Sequence, residues 1–256
     1  MKPVIQNPWG LVGLAALIFL AGCAGNRENE WKDLVKGNSL DGWTVKCVEA
    51  DKELEFFSVK DGILIANSLG NDQHDYYWLM SDEEYGDFEL SLKFQTIKEA
   101  GGNSGIQIRS RYDEKAETEV KGKMVAGWLD GPQVDINPPA PFRNGLIYDE
   151  TRGHRRWICP SLESYVIDSA TYAVPGYIHY HADEGPGWNE MTLLCKGTQI
   201  KTIVNGVVIC DYDGSGILND EYHEKYKVGM KGHIALQIHR FNEVYVRFRD
   251  IRIREL

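Results

Sequence analysis

Along most of this chain apolar and polar residues alternate with a period of two, the spacing of a strand that buries one face and leaves the other free. Over residues 88–94, Phe88, Leu90, Leu92 and Phe94 interleave with Glu89, Ser91 and Lys93. Segments 191–195, 199–204 and 207–210 are separated by Lys196-Gly197 and Asn205-Gly206, and an Asn-Gly pair tolerates the left-handed backbone that a two-residue hairpin turn demands. Those three segments read as a meander. Segments 234–239 and 244–254 alternate as strictly on either side of 240–243, and no long amphipathic helical pattern occurs. The expected fold is all-β, a two-sheet sandwich of jelly-roll type.

Two stretches, 111–131 and 137–187, break the rhythm and exceed the length of hairpin turns; the second carries Pro138, Pro139, Pro141, Pro160, Pro175 and Pro186. Long loops on a rigid sandwich are expected to be functional, and here to wall a groove over a concave face. At the other end of the chain, the apolar run 11–20 closes in Leu20-Ala21-Gly22-Cys23, the pattern of a bacterial lipoprotein signal. It falls short of the ~20 apolar residues a spanning helix needs. Residues 1–22 therefore read as signal peptide, 23–30 as the lipidated Cys23 and its tether, and 31–256 as one domain. The expected address is the bacterial cell envelope, periplasmic or outer-membrane, with the membrane reached by the lipid anchor only.

A formal charge of −10 lacks the basic excess that a phosphate backbone requires, which argues against nucleic acid as a partner. Beyond Cys23 stand Cys47, Cys159, Cys195 and Cys210, none in a metal-type pair. Buried free thiols are the favoured reading over a bridge between Cys195 and Cys210.

The positions that alternate with the core carry the chemistry. Opposite Ile106 and Ile108 stand Gln107 and Arg109; opposite Val134 and Ile136 stand Gln133 and Asp135; opposite Ile234, Leu236 and Ile238 stand Gln237 and His239. An ordinary outward face is polar too, but it favours Lys, Thr and Glu. Amides, a carboxylate and an imidazole on one face suit the vicinal hydroxyls of a sugar. Tyr148, Trp157, Tyr177 and Trp188 offer stacking surface in the loops, and Glu150 is the loop carboxylate best placed to reach over a cleft. His179 and His181 lack a third ligand at a recognisable distance, so they read as satisfied loop histidines and no metal site is assigned. A Gly-x-Ser-x-Gly elbow, a phosphate loop and the closely spaced carboxylates of jelly-roll glycanases are all missing from the sequence.

A series of short motifs then becomes specific: Trp31-Lys32-Asp33-Leu34-Val35, Leu40-Asp41-Gly42-Trp43, Val59-Lys60-Asp61-Gly62-Ile63-Leu64, Asn103-Ser104-Gly105-Ile106 with Arg109, Gly131-Pro132-Gln133-Val134-Asp135-Ile136, Trp188-Asn189, Val204-Asn205-Gly206, Leu236-Gln237-Ile238-His239 and Val246-Arg247-Phe248-Arg249-Asp250-Ile251. In order and spacing these resemble the 3-keto-disaccharide hydrolase family, also described as 3-keto-glucoside lyase and 3-keto-2-hydroxyglucal hydratase.

The resemblance implies a concanavalin-like jelly roll acting on glycosides that a partner glycoside 3-dehydrogenase has oxidised at C3. A C3 ketone acidifies the C2 hydrogen; a base removes it, the C1 substituent leaves with help from an acid, and water adds back. Asp135 and His239 are the base and acid candidates in either order, with Glu150 a third. Gln107, Arg109, Gln133 and Gln237 would hold hydroxyls or polarise the ketone, and Tyr148 and Trp188 would stack on the sugar. No cofactor is required, and a divalent cation aiding enolisation is compatible with the scheme. The family pattern carries Glu at the place of Gln133 and Gln at the place of Asp135, which marks a different substrate preference or a chain that binds without turnover. Two alternatives stand beside this reading: a noncatalytic carbohydrate-binding lipoprotein, and a conventional glycoside hydrolase using Asp135 and Glu150.

Overall fold

The computed structural model describes residues 30–120, 122–138, 143–162, 167 and 174–256. The signal 1–22, Cys23 and residues 24–29 of the tether lie outside the described residues, as do Pro139 and Pro141. In chain order the strands are β1 (Lys32–Asp33), β2 (Trp43–Lys46), β3 (Phe57–Lys60), β4 (Ile63–Asn67), β5 (Tyr77–Tyr85), β6 (Phe88–Gly101), β7 (Ser104–Val120), β8 (Lys123–Asp130), β9 (Pro132–Ile136), β10 (Ile147–Asp149), β11 (Arg156–Cys159), β12 (Asn189–Lys196), β13 (Gln199–Val204), β14 (Val207–Asp213), β15 (Gly232–Ile238) and β16 (Val244–Glu255). A short helix, α1 (Glu221–Tyr226), precedes β15.

Two antiparallel sheets result. The first runs β14-β13-β12-β6-β16-β4-β3, with β1 on β16; the second runs β11-β10-β9-β7-β15-β5-β2, with β8 on β7. The alternating residues meet between them: Phe88, Leu90, Leu92 and Phe94 from the first sheet bury against Ile106, Ile108, Val134, Ile136, Leu236 and Ile238 from the second. Asn205 and Gly206 adopt φ of 50° and 79°, the left-handed pair the hairpin between β13 and β14 needs. The chain is thus the expected jelly-roll sandwich.

One expected loop is instead a strand pair. β7 continues through 111–120 and turns back as β8, so 111–131 is a long hairpin arm. Its charged run, with Asp113, Glu114, Lys115, Glu117 and Glu119 around Ala116, hides the period-two signal. The arm forms because Ala116, Val120, Val125, Trp128 and Leu129 cover Tyr76, Trp78, Met80 and Ala235 on the outer face of the second sheet. Tertiary burial decides the conformation here, where local propensity does not.

The cysteine expectation is corrected as well. Cys159 at the end of β11 is disulfide-bonded to Cys210 in β14, while Cys47 and Cys195 are free. A Cys195–Cys210 bridge is ruled out by topology, since β13 lies between their strands: Cys195 faces Ile200 and Cys210 faces Thr202. The bond that forms joins the terminal strands of the two sheet paths.

Helix α1 is capped by Asp220, whose carboxylate accepts from the backbone N–H groups of Tyr222 and His223. The fully buried His223 ring lies 2.9 Å from Asp220 Oδ1 and 3.3 Å from Asp149 Oδ2. Burial alone would lower the imidazole pKa, but the hydrogen bonds and charges of Asp149 and Asp220 outweigh it and hold it above the ordinary value. For Asp220, burial raises and the His223 contacts lower, with a net depression. The stability from His223 is therefore present below the ordinary histidine pKa and lost as pH rises through its raised value. That from Asp220 is present above the ordinary carboxylate range and lost as pH falls through the depressed one. Thermal unfolding followed from pH 3 to 9 should show a plateau between the two, and His223→Ala should flatten the alkaline decline while costing roughly 3–5 kcal/mol at pH 6. A wild-type midpoint as high at pH 9 as at pH 6 would contradict this assignment.

Candidate active site

Strand β9 presents Val134 and Ile136 to the core and Gln133 and Asp135 to the opposite face, yet all five of its residues are buried. The space left beside it is a cavity of about 230 Å³ lined by Gln133, Asp135, Tyr148, Glu150 and His239, together with Tyr76, Asn103, Arg143, Arg155 and Trp157. Val120 from the arm closes one side.

The electrostatics follow from that enclosure. Asp135 is 3% exposed, and burial pushes its carboxyl up to about 6 against the pull of Arg143, whose Nε lies 3.6 Å from Oδ2. Burial raises Glu150 to about 7, opposed by Arg155 at 3.9 Å and reinforced by Asp149 and Asp135. Trp128 supports this second pair twice: its indole N–H donates to the Glu150 carbonyl at 2.8 Å, and Arg155 stacks over its ring at 5.2 Å. Two carboxyls that titrate near neutrality thus share a cavity with two guanidinium groups, a combination suited to proton transfer and oxyanion stabilisation.

His239 follows β15 directly. Its Nδ1 lies 2.9 Å from the Arg240 carbonyl, an atom that can only accept, so Nδ1 carries the proton and Nε2 is the basic nitrogen of the neutral ring. The Tyr76 hydroxyl sits 3.3 Å from Nε2. Burial raises the Tyr76 pKa above the usual phenol range, so this hydroxyl stays protonated.

Of the residues singled out in the sequence, Asp135, Glu150, His239, Gln133 and Tyr148 converge on the cavity. Gln107 and Gln237 do not line it; they are fully buried in the sheet behind Gln133, with the Gln107 amide 2.6 Å from that of Gln133. Two others lie elsewhere. Arg109 takes φ = 50°, which breaks the alternation of β7. Its guanidinium donates to the carbonyls of Gly86 (2.8 Å), Gly197 (2.6 Å) and Gly229 (3.1 Å) and pairs with Asp87 at 3.1 Å. Trp188 lies beneath Arg249 and Arg247 of β16, at 4.3 and 5.6 Å, on the first sheet and away from the cavity.

Sequence reasoning missed Tyr76, Asn103 and Arg143. Tyr76 shows no alternation signal of its own because it precedes β5, and Arg143 belongs to the proline-bearing stretch, where no period places a side chain. Trp157, noted as a loop aromatic, stands in β11 edge-on to Tyr148 at 5.2 Å. His179 lies 3.0 Å from Thr96 Oγ1 and 2.8 Å from the Asn144 amide, and burial lowers its pKa to about 4. Among the described residues no three or more His, Cys, Asp or Glu side chains are grouped to hold a metal ion.

The fold is a jelly-roll sandwich with an acid–base pocket on one sheet, and the family match makes this a carbohydrate-related protein. The chain belongs to the family of 3-keto-alpha-glucoside-1,2-lyase-like domains, which matches residues 30–254. Among solved structures, a "putative glycosyl hydrolase" from Parabacteroides distasonis ATCC 8503 is 17% identical, covers 88% of this chain and 94% of its own, and superposes with a TM-score of 0.51. A protein of unknown function with a galectin-like fold from Bacillus subtilis is 11% identical, covers 88% and 98%, and reaches 0.50. At these identities the likeness establishes the shared fold. No curated protein matches the chain.

Arg109 offers a test of the boundary between scaffold and site. Arg109→Met strands three carbonyls and Asp87, so the unfolding free energy should fall by roughly 3–5 kcal/mol. The KM of the molecules that remain folded should match wild type, and a selective rise in KM with unchanged stability would return Arg109 to the substrate.

Proposed function

We propose that this chain cleaves glycosides already oxidised to a ketone at C3. The observation that carries the reading is the juxtaposition, in one cavity, of a basic imidazole nitrogen, two carboxyls raised toward neutrality and two guanidinium groups. His239 Nε2 takes the C2 proton, and the electron pair moves onto the C3 oxygen, where Arg143 or Arg155 and the Tyr76 hydroxyl stabilise the enolate. The enolate then re-forms the ketone as the C1–O bond breaks, and the departing oxygen receives a proton from Asp135 or Glu150. Water adds back, hydroxyl to C1 and hydrogen to C2, giving the free 3-keto sugar.

An adjoining cavity of about 240 Å³ shares Val120 and His239 with the first. Its outer side is formed by Phe241, 47% exposed at φ = 57° and stacked with Arg240 at 4.4 Å. This gives the leaving group an apolar face on the far side of His239. The reading places a C3-oxidising dehydrogenase upstream and keeps the chain in the cell envelope, tethered through Cys23.

The test is incubation of the protein with a 3-keto aryl glucoside in deuterated water. Release of the phenol with deuterium at C2 is expected; an intact, unexchanged substrate would reduce the protein to a binder. Cleavage of the unoxidised aryl glucoside would instead favour a conventional glycosidase built on Asp135 and Glu150. Asp135→Asn and His239→Ala should each lower kcat by roughly 10²–10⁴-fold, and near-wild-type turnover in both would remove them from the mechanism.

A further inference from the structure

We infer that the indole N–H of Trp78, acting through Gln107 and Gln133, fixes a proton on Asp135, so that Asp135 enters the elimination as its acid and not as the base that takes the C2 proton. The role in turnover rests on the function proposed above; the proton itself does not.

Hydrogen-bond polarity fixes where that proton sits. The amide of Gln107 is wedged among four groups: Trp78 Nε1 at 3.1 Å, the Ala235 carbonyl at 3.3 Å, Gln237 Nε2 at 3.0 Å and the amide of Gln133 at 2.6 Å. Two of these have no choice of role, since an indole N–H only donates and a peptide carbonyl only accepts. The Gln107 oxygen must therefore face Trp78 and its nitrogen must face Ala235. That same oxygen is the atom turned toward Gln133, so Gln133 has to meet it with an N–H. Its NH₂ is thereby committed, and its carbonyl oxygen is left facing Asp135 Oδ1, 3.1 Å from the Gln133 amide. Two oxygens at that separation form a hydrogen bond only when one bears a proton, and an amide oxygen bears none. The proton belongs to Asp135.

Nothing loosens this chain of constraints locally. Gln107, Gln133 and Asp135 are all buried, and Gln133 lies flat across Gly105, where a Cβ would come within 2.5 Å of its amide carbon. Among the described residues, the charged and titratable groups around Asp135 are these. Arg143 opposes the proton from the Oδ2 side at 3.6 Å; Glu150, paired with Arg155, favours it; His239, Tyr148 and Tyr76 line the same cavity. Tyr177 senses the Asp135 charge from the loop beyond β11. The raised carboxyl pKa, about 6 from burial, points the same way, and an accepting amide oxygen moves it further. Trp78, Gln107 and Gln133 are thus positioning residues, each with one donor end and one acceptor end aligned in a single direction.

The test uses a pair of substitutions at Gln107 and the carbonyl stretch of protonated Asp135, assigned by its loss in Asp135→Asn and titrated by infrared difference spectroscopy. In the wild type the band should persist through pH 6. Gln107→Met keeps the length but removes both polar ends, so Gln133 is free to turn its NH₂ on Asp135; the band should then vanish at a pH at least one unit lower, a tenfold change in the protonation constant. Gln107→Glu keeps the accepting oxygen for Trp78 and Gln133, and its band should persist at least as high as in the wild type. A merely structural role would lower the melting temperature of both variants without separating their titrations. Should Gln107→Met fail to fold, Trp78→Phe gives the same readout. Coincident titrations in wild type and Gln107→Met, or a wild-type Asp135 ionised at pH 5, would overturn the inference. Because the band is read without substrate, inactivity on 3-keto glycosides would sink the proposed reaction and leave this result standing.

Discussion

The structure of the site depends on one act of burial: the β7–β8 arm lies down on the outer face of the second sheet. Trp128 is its anchor, edge-on to Tyr76 and Trp78 at 5.2 and 6.2 Å and bonded through its indole N–H to the Glu150 carbonyl, while Val120 of the same arm lines the cavity beside Gln133 and Asp135. Excluding water raises both carboxyls, gives the two guanidinium groups electrostatic reach, and makes the polarity of every amide in the floor matter. The sandwich beneath supplies rigidity. The arm supplies the dielectric.

This division explains what could be read from the sequence. Period two is a property of a strand between a core and an open face, so β6, β9, β15 and the meander of β12, β13 and β14 were legible, and with them the side of the sheet on which Asp135, Gln133 and His239 stand. Where that condition fails, the reading fails with it. The arm buries only a few of its residues and carries many charges, so its pattern is faint. Arg109 departs because a single left-handed residue reverses the alternation, which no count of apolar positions reports. Trp188 has the composition of a sugar platform but belongs to the other sheet, and only the strand order tells the two apart. The bridge from Cys159 to Cys210 depends in the same way on which strands end each sheet path.

The pocket also shows why two residues on one strand have such different duties. Asp135 faces the cavity, whereas Gln133, two residues earlier and on the same face, reaches both the cavity and the buried amides behind it. A strand carrying an amide and a carboxyl at alternate positions is therefore a channel for hydrogen-bond polarity as well as a row of ligands. Exchanging the two along the strand would keep the composition of the site and reverse the sense of that channel.

The disulfide has a consequence for the cavity that lies outside its own neighbourhood. Strand β11 is four residues long, ends its sheet path, and holds Trp157 in the pocket wall two residues before Cys159. Trp157 and Ile158 bury this rim strand in the core, and the sulfur bond adds a covalent tie across the sandwich to β14. The wall against which a sugar would rest is thus moored to the opposite sheet, and its firmness is set by oxidation after folding as much as by the packing of the core.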